Sequence, residues 1–312
     1  MQPRILAFAL ALGTLPFAAS AADDAACATV RMADPGWTDI ASTNALLGTV
    51  LEPLGYEQDI KTLSVPIIYD SLKNNRIDAF LGSWQPAHKA MLEPLVSAGK
   101  VEQVTTNLSG VKFTLAVPSY VAADGVTKVE DLAAHADQFK SEIYGIEPGA
   151  AANENMHKML DAGAYGLKGW TLVESSEQAM LSQVDRAERR KNWIVFLAWE
   201  PHPMNIHHDL TYLSGGVDYF GENYGSSEVR TLARTGFAKA CPNLDKLLSQ
   251  MTFTVPMENE IMAGILDEGE SADEAARTWL KAHPDVLNAW LDGVETMQGE
   301  DGLPAVKSAL GV

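Results

Sequence analysis

Short apolar runs alternate with amphipathic stretches along most of the chain. Residues 29–33 form a strand-like run that ends at the turn-forming residues 34–36. Apolar positions then recur at helical spacing over residues 40–54, and a second strand-like run covers residues 58–63. Because this alternation of strand and helix is typical of parallel α/β layers, the sequence predicts an α/β fold.

Two segments, residues 64–86 and 176–201, repeat one plan. Each begins with a serine suited to cap a helix, and each ends with an apolar strand, Phe-Leu, a tryptophan and Gln-Pro or Glu-Pro. The repeat predicts Trp84 and Trp199 just past the carboxyl ends of strands, where open α/β sheets bind ligands. We therefore predict two similar lobes with these tryptophans facing across a cleft; the alternative is a chance match of two core tryptophans.

The boundaries of the two lobes follow from two predicted crossings. Alternating apolar positions over residues 111–118 predict a strand that passes from one lobe to the other, and residues 213–217 predict the return. This places residues 22–112 and 215–312 in lobe I, and residues 113–214 in lobe II. The C-terminal third is predicted to be helical over residues 243–251, 257–266, 272–282 and 284–291.

The N-terminus indicates export. Arg4 is the only charged residue before an apolar run over residues 5–17, and residues 19–21 read small-x-small. This pattern predicts a signal peptide over residues 1–21 and a protein released into the periplasm, with an ordinary N-terminal helix as the alternative. Cys27 follows Asp-Ala-Ala, which is unlike the apolar and small residues expected before a lipidated cysteine.

Two cysteines, Cys27 and Cys241, are present. In an oxidising compartment an even count favours a disulfide, and two unrelated buried thiols are the alternative. The net charge of −18 becomes one unit more negative when Arg4 is removed with the signal peptide. So acidic a chain argues against nucleic acid and against anionic membranes as partners.

Three tryptophans follow three predicted strands, because Trp37 comes directly after the first strand as Trp84 and Trp199 follow theirs. Phe113 lies on a fourth segment. Tryptophan faces attract cations without needing a carboxylate, and a quaternary ammonium group offers no N–H for hydrogen bonding. Taken together the rings predict a cation cage, with core packing or stacking on an apolar ligand as the alternative. Each tryptophan alone is better explained by a structural role.

Histidine and glutamate side chains raise two other functions, metal binding and acid–base catalysis. His202, His207 and His208 lack the spacing of a structural zinc site, and we predict no metal and no cofactor. Glu147 and Glu200 each precede a proline and suit structural turns better than acid–base catalysis. No nucleophile or nucleotide-binding motif accompanies them, so the chain is predicted not to be an enzyme. The alternative is a secreted enzyme that uses one of these side chains on a choline-like ester.

The whole chain after the signal segment resembles the choline-binding proteins of bacterial choline ABC importers, in the glycine betaine/choline class of periplasmic binding proteins. The resemblance is carried by the strings GWTDI, LSVP, SLKN, FLGSWQP, YGIEPG, ESSEQAML, VFLAWEPHPMN, LTYLSGG and MENEIM. It implies a two-lobed type II binding-protein fold that closes over its ligand. We expect the protein to be a monomer whose partner is the membrane permease of an ABC importer. A chemoreceptor accessory protein with the same site is the remaining alternative.

The resemblance also implies roles for single residues. Asp39 matches an acidic residue that accepts a hydrogen bond from the choline hydroxyl, and Cys27 and Cys241 match a disulfide pair. Three members of the family's aromatic box match at Trp37, Trp84 and Trp199.

Two positions depart from the family pattern. Phe113 stands where the aromatic box has a tyrosine, and Ala150 stands where an asparagine helps to hold the ligand hydroxyl. Asn153, three residues later, is a candidate substitute. The lost amide weakens the case for choline and leaves space for a larger ligand such as carnitine, with His202 a candidate partner for its carboxylate. Asp39 would repel the carboxylate of compact glycine betaine.

Overall fold

The computed structural model describes residues 23–312, so the predicted signal peptide lies outside the described residues. Within residues 23–312 no helix is both long enough and apolar enough to span a bilayer. The strands are β1 (Thr29–Asp34), β2 (Glu57–Thr62), β3 (Ala79–Gln85), β4 (Val101–Pro118), β5 (Glu142–Tyr144), β6 (Thr171–Val173), β7 (Phe196–Glu200), β8 (Leu210–Tyr212) and β9 (Ser226–Arg234).

Helices cover about half of the same range. Three short 3-10 helices accompany them at Ala25–Cys27, Val129–His135 and Ala164–Gly166. The α-helices are α1 (Thr38–Leu54), α2 (Val65–Lys73), α3 (Lys89–Ser97), α4 (Ser119–Ala123), α5 (Ala136–Phe139), α6 (Ala151–Asp161), α7 (Glu177–Arg190), α8 (Met204–His207), α9 (Val217–Phe220), α10 (Glu222–Gly225), α11 (Phe237–Ala240), α12 (Pro242–Gln250), α13 (Val255–Leu266), α14 (Ala272–Ala282), α15 (Val286–Trp290) and α16 (Gly302–Leu310).

The α/β fold has two lobes. In the first, β1 and β2 pair in parallel, and β3 lies beside β1. In the second, β5 pairs in parallel with β6 and with β7. One sheet in the order β3-β9-β4-β7-β5-β6 continues from the first lobe into the second. The two-lobed α/β architecture predicted from the sequence is therefore present.

Strands β4 and β9 connect the lobes. β4 pairs antiparallel with β9 from Val101 to Lys112, and from Lys112 to Ala116 it pairs with β7 of the second lobe. β9 in turn pairs antiparallel with β3 of the first lobe. The chain thus passes between the lobes along hydrogen-bonded strands, and the division at residues 112/113 and 214/215 remains a prediction.

No strand covers residues 213–217, where the return between the lobes is predicted. In its place β8 ends at Tyr212, and the returning strand is β9, which begins at Ser226. Gly215 and Gly216 both have positive φ angles, 78° and 64°, which end an extended segment. The sequence signal for β9 was weak because its buried and exposed positions alternate around charged residues.

The two repeated segments, residues 64–86 and 176–201, each form a helix followed by a strand, one in each lobe. Helices α2 and α7 each begin directly after the predicted serine, and the Ser176 hydroxyl accepts a hydrogen bond from the Ala179 N–H. Trp84 and Trp199 are the penultimate residues of β3 and β7, rather than the first residues beyond them. The peptide bond to the following proline is cis in both copies.

The N-terminal segment is fastened to the C-terminal part of the first lobe. Cys27 and Cys241 form a disulfide with a Cα–Cα distance of 5.8 Å. Close by, the Asp23 carboxylate accepts hydrogen bonds from the Tyr56 hydroxyl and from the backbone N–H of Asn243. The predicted disulfide is confirmed, and it closes a loop that includes the whole second lobe.

Candidate ligand-binding site

One cavity lies between the lobes, at the carboxyl ends of β3 and β7. Its empty volume, which includes space open to solvent, is about 450 Å³. Side chains from both lobes line it, and most of them are apolar or aromatic. The lining residues are Trp37, Asp39, Trp84, Ala87, His88, Phe113, Ile146, Ala150, Ala151, Ala152, Leu197 and Trp199.

Four aromatic rings form the walls of this cavity. Trp84 and Phe113 stand nearly perpendicular, with ring centroids 6.3 Å apart. Phe113 on β4 is the register partner of Trp199 on β7, and directly opposed residues of an antiparallel pair project from the same face of the sheet. Trp37, at the residue before α1, lines the same cavity. The structure therefore brings together the three predicted tryptophans and Phe113.

Asp39 is a buried carboxylate at the edge of this aromatic wall. Its Oδ2 accepts a hydrogen bond from the Trp84 Nε1–H at 3.1 Å, whereas its Oδ1 has no hydrogen-bond partner in the described part of the chain. Burial, reinforced by the negative charge of Glu177, raises the pKa of Asp39 to about 7. A buried oxygen that faces a cavity without a partner is suited to accept a hydrogen bond from a ligand.

Trp37 is held from the opposite lobe. Its indole Nε1–H donates to Glu147 Oε1 at 2.8 Å, and Glu147 lies in the loop between β5 and α6. Burial raises the pKa of Glu147 to about 7, and the charge of Glu177 contributes in the same direction. Because Trp37 belongs to the first lobe and Glu147 to the second, this hydrogen bond orients the ring and joins the lobes at once.

A second set of hydrogen bonds also joins the two lobes. Glu177, at the start of α7, accepts hydrogen bonds from the backbone N–H and the hydroxyl of Thr38, at the start of α1. His202 Nε2 lies 3.2 Å from Glu177 Oε1, and its Nδ1 accepts from the Met204 N–H. His202 therefore holds Glu177 from within the second lobe and does not line the cavity.

The electrostatic environment of the cavity is negative. Burial and the charge of Asp39 raise the pKa of Glu258, which is buried in α13, well above its ordinary value. No lysine or arginine lines the cavity among residues 23–312. A small cation would therefore gain attraction from Asp39, Glu147 and Glu177 in addition to its contacts with the rings.

Ala150 and Asn153 have different positions. Ala150 is the residue before α6 and lines the cavity. Asn153 is fully buried outside the lining, where its side-chain amide holds the backbone N–H and C=O of Ile146, the carbonyl of Glu147 and the Glu174 carboxylate. Its position does not support the predicted contact with a ligand hydroxyl, because all of its polar capacity maintains the loop before α6.

His88 is a cavity residue that sequence reasoning missed. It follows the Trp84-Gln85-Pro86 turn, and its ring lies 6.1 Å from the Trp37 ring and 5.6 Å, edge to face, from the Tyr69 ring. Burial lowers its pKa to about 3, so the imidazole is neutral. Its Nδ1 is buried with no hydrogen-bond partner in residues 23–312. Only its closeness to Trp84 in the sequence pointed to it.

The three histidines considered as a group lie beside three different carboxylates. His202 contacts Glu177, His207 Nε2 lies 3.0 Å from Asp267 Oδ2, and His208 Nδ1 lies 2.7 Å from Glu188 Oε2. Glu200, the other glutamate considered for catalysis, forms an ion pair with Lys112 at 3.1 Å and does not line the cavity.

The chain is similar to binding proteins of known structure. The solved structure of an ABC-transporter choline binding protein in complex with choline has 52% identity and a TM-score of 0.91, covering 93% of this chain and 100% of that one. The same kind of protein in an unliganded semi-closed conformation has 52% identity and a TM-score of 0.86, covering 92% of this chain and 100% of that one. The present chain thus resembles the ligand-bound form more closely, in agreement with the contacts between its lobes.

The chain is also similar in sequence to a transport binding protein. The glycine betaine/carnitine transport binding protein GbuC of Listeria monocytogenes is 29% identical over 197 residues, which cover 63% of each chain. Residues 28–282 match the OpuAC family, described as the substrate binding domain of the ABC-type glycine betaine transport system. The chain therefore belongs to the OpuAC family of substrate-binding domains of ABC-type glycine betaine transport systems.

Proposed function

We propose that this protein captures a quaternary ammonium compound in its aromatic cage and delivers it to the permease of an ABC importer. The observation that carries the proposal is the set of four rings around one cavity, with the Asp39 carboxylate at its edge. Each ring face contributes about 0.5–2 kcal/mol of cation–π attraction. Together with burial of the methyl groups, this suffices for micromolar affinity, about 8 kcal/mol.

The charges of the site favour a ligand with a net positive charge and a hydroxyl group, such as choline. The unpartnered Asp39 Oδ1 accepts from a hydroxyl, and the surrounding carboxylates attract the ammonium. A compact zwitterion such as glycine betaine would place its carboxylate beside Asp39, with no lysine or arginine among the described lining residues to offset it. Carnitine has both a hydroxyl and a carboxylate, and its affinity depends on a second partner for the carboxylate.

Capture requires the lobes to close. The Trp37–Glu147 and Thr38–Glu177 hydrogen bonds both join the lobes beside the cavity, and separating the lobes breaks them. A ligand that contacts Trp37 and Trp84 from one side and Trp199 from the other favours the closed arrangement. We propose that a monomer in the periplasm presents this closed shape to the permease.

The site favours binding over catalysis. The lining residues within 23–312 include no serine, cysteine or lysine that could act as a nucleophile. Glu147 is hydrogen-bonded to Trp37, and Glu200 is paired with Lys112 away from the cavity. Incubation with choline esters and an assay for released choline tests this point, and turnover would support the enzyme alternative.

The test of the proposal is a calorimetric titration of the purified protein with choline, carnitine, glycine betaine, acetylcholine and ethanolamine. Choline should bind at least tenfold more tightly than ethanolamine, which lacks the methyl groups. Trp84→Ala and Trp199→Ala should each weaken choline binding by about 100-fold or more, because each removes a ring face and its apolar contact. The matched control is Trp279→Ala, since Trp279 lies on the surface of α14 and contacts Glu260 and His283. Equal binding of ethanolamine, or unchanged affinity in both cage variants, would contradict the proposal.

A further inference from the structure

A second groove lies in the second lobe, at the end farthest from the ligand cavity. Its empty volume, which includes space open to solvent, is about 1250 Å³. Helix α7 leads from one site to the other, because its first residue, Glu177, contacts Thr38 across the lobes and its last two turns line the groove. The 14 residues of α7 span about 20 Å, so a ligand in the cavity does not reach the groove.

Positive charge is concentrated in this groove. Its lining includes four cationic side chains, and we call it the basic groove: Lys140, Arg186, Arg190 and Lys191. Glu142 is the one carboxylate among its described lining residues, although the chain as a whole has a net charge of −18. None of the four cations forms an ion pair within residues 23–312.

The carboxylates nearest to the groove on α7 are engaged elsewhere. Asp185 forms an ion pair with Arg189 at 4.0 Å. Glu188 Oε2 lies 2.7 Å from the Nδ1 atom of His208. The C-terminal end of a helix carries about half a negative charge, which offsets less than one of the cations. Most of the positive charge of the basic groove is therefore left for a partner.

The lining extends over several elements and combines charged, amide and aromatic side chains. It comes from the end of α5, the start of β5, the last turns of α7 and residues 191–194. Phe139 and Trp193, with ring centroids 5.3 Å apart, give it an aromatic part, and Gln138, Gln183 and Asn192 add amide groups. A single small anion would contact one part of this lining, whereas a peptide segment spans it.

Arg186 and Arg190 define a spacing along the groove. They are four residues apart on α7, so they project from one face of the helix about 6 Å apart. In an extended peptide, alternate side chains share one face and are about 6.7 Å apart. Two carboxylates at alternate positions therefore match the two guanidinium groups, each of which can donate two parallel N–H bonds to a carboxylate.

We propose that the basic groove binds an extended acidic segment of another protein, with carboxylates at alternate positions paired with Arg186 and Arg190. Lys140 and Lys191 add attraction, and the acidic character of the chain as a whole disfavours binding of the same segment elsewhere on the surface. The inference goes beyond the proposed function, because the groove and the aromatic cage lie at opposite ends of α7.

The test compares two fluorescent peptides of glutamate and serine that have the same length and the same charge. Glutamate is every second residue in one peptide and every third in the other, which places successive carboxylates on opposite faces of an extended chain. Fluorescence anisotropy at low ionic strength, where exposed charges are weakly screened, should show about fivefold tighter binding of the alternating peptide. Equal binding of the two peptides would overturn the inference.

The double variant Arg186→Gln/Arg190→Gln should weaken binding of the alternating peptide by about tenfold. Both side chains are exposed, so the unfolding temperature should stay the same. The matched control is Lys168→Gln/Lys239→Gln, which changes the net charge equally at two exposed lysines outside the groove and should alter binding by less than twofold. An equal loss in both double variants would show a nonspecific effect of net charge and would overturn the inference.

Lys140→Gln provides a measurement that leaves α7 intact, since Lys140 directly follows α5. It should weaken binding of the alternating peptide two- to threefold, and an unchanged affinity would count against the groove as the site.

Two competitors distinguish other occupants. Displacement of the peptide by an equal charge concentration of inorganic phosphate would assign the groove to a small anion and overturn the inference. Capture by phosphatidylglycerol vesicles through the same two arginines, without peptide binding, would assign it to a membrane surface and overturn it as well. Failure of choline to bind would contradict the proposed function alone, so the two failures are distinguishable.

Discussion

Strand β3 has a buried aspartate at each end, and the two are opposite in character. Asp78, directly before the strand, accepts four hydrogen bonds: three from the backbone N–H and guanidinium of Arg31, and one from Arg234. Burial alone would raise the pKa of Asp78, but the hydrogen bonds from Arg31 and Arg234 outweigh it and hold this pKa below its ordinary value. Its negative charge is therefore neutralised within the fold by the two arginines.

Asp39 lies on α1 beside the other end of the strand, where its one side-chain hydrogen bond comes from Trp84 and it has no neighbouring cation. Burial raises its pKa to about 7. The comparison shows that burial of a carboxylate does not by itself indicate function. The informative feature is an acceptor that the fold leaves unmatched beside a cavity, because its partner must come from outside the protein.

Asp78→Asn should have the largest effect on stability. Asparagine cannot neutralise Arg31 and Arg234, and we expect the free energy of unfolding to fall by about 2–3 kcal/mol. Denaturant unfolding measures this loss, with Asp185→Asn, an exposed position on α7 beside Arg189, as the control. Choline affinity should change by less than twofold; a tenfold change would show that the two ends of β3 are not independent.

Asp39→Asn should show the reverse pattern. Removing the charge that attracts the ammonium is expected to weaken choline binding by about tenfold, equivalent to about 1.4 kcal/mol. The free energy of unfolding of the ligand-free protein at pH 8 should not fall, because the variant removes an unpaired buried charge. A stability loss like that of Asp78→Asn would mean that Asp39 has a structural role instead.

The pH dependence of stability should separate the two aspartates further. The folded-state pKa of Asp39, about 7, is above the ordinary 3.8. Its contribution to the stability of the folded protein is therefore complete below pH 3.8 and is lost as the pH rises towards 7. The pKa of Asp78 is lowered, so its contribution is present above pH 3.8 and is lost as the pH falls through the folded-state value. The test is the free energy of unfolding of the ligand-free protein, measured from pH 3 to pH 8 in the original protein and both variants. Above pH 4, the free energy of Asp39→Asn should depend least on pH. Below pH 4, that of Asp78→Asn should depend least on pH.

Glu147→Gln should have the smallest effect. Glutamine still accepts the hydrogen bond from Trp37 but carries no charge, so choline affinity at pH 8 should fall by two- to threefold. Calorimetry at pH 6 and pH 8 should also show a weaker rise in affinity with pH than in the original protein, because one carboxyl that ionises near 7 is gone. Glu200→Gln, outside the cavity, is the control and should alter neither value.

Much of the fold could be predicted because local patterns and tertiary structure agree. Predicted helices over residues 40–54, 257–266 and 272–282 correspond to α1, α13 and α14, with ends that differ by two residues or fewer. Strand β9 could not be predicted in the same way. It is defined by its partners β3 and β4, which are distant in the sequence, and its own residues include three charged side chains at partly exposed positions, Glu228, Arg230 and Arg234.

The aromatic part of the site was accessible from the sequence, and its polar part was not. Trp37, Trp84 and Trp199 could be grouped because each follows a recognisable strand, and two of them recur in the repeat. Asn153 was predicted as a ligand contact from its proximity to Ala150, but helical geometry turns it away to hold the preceding loop. His88 has no sequence signature, since its role depends on what lies opposite it in space.

The continuous sheet has a mechanical consequence. Strands β4 and β9 pair with each other and with strands of both lobes, so the joint between the lobes is a two-stranded hydrogen-bonded ribbon instead of a free linker. Such a ribbon bends and twists far more easily than it stretches or slides, because sliding breaks its ladder. We expect opening to follow these bending and twisting motions, so that each closure returns Trp199 to the same place opposite Trp37 and Trp84.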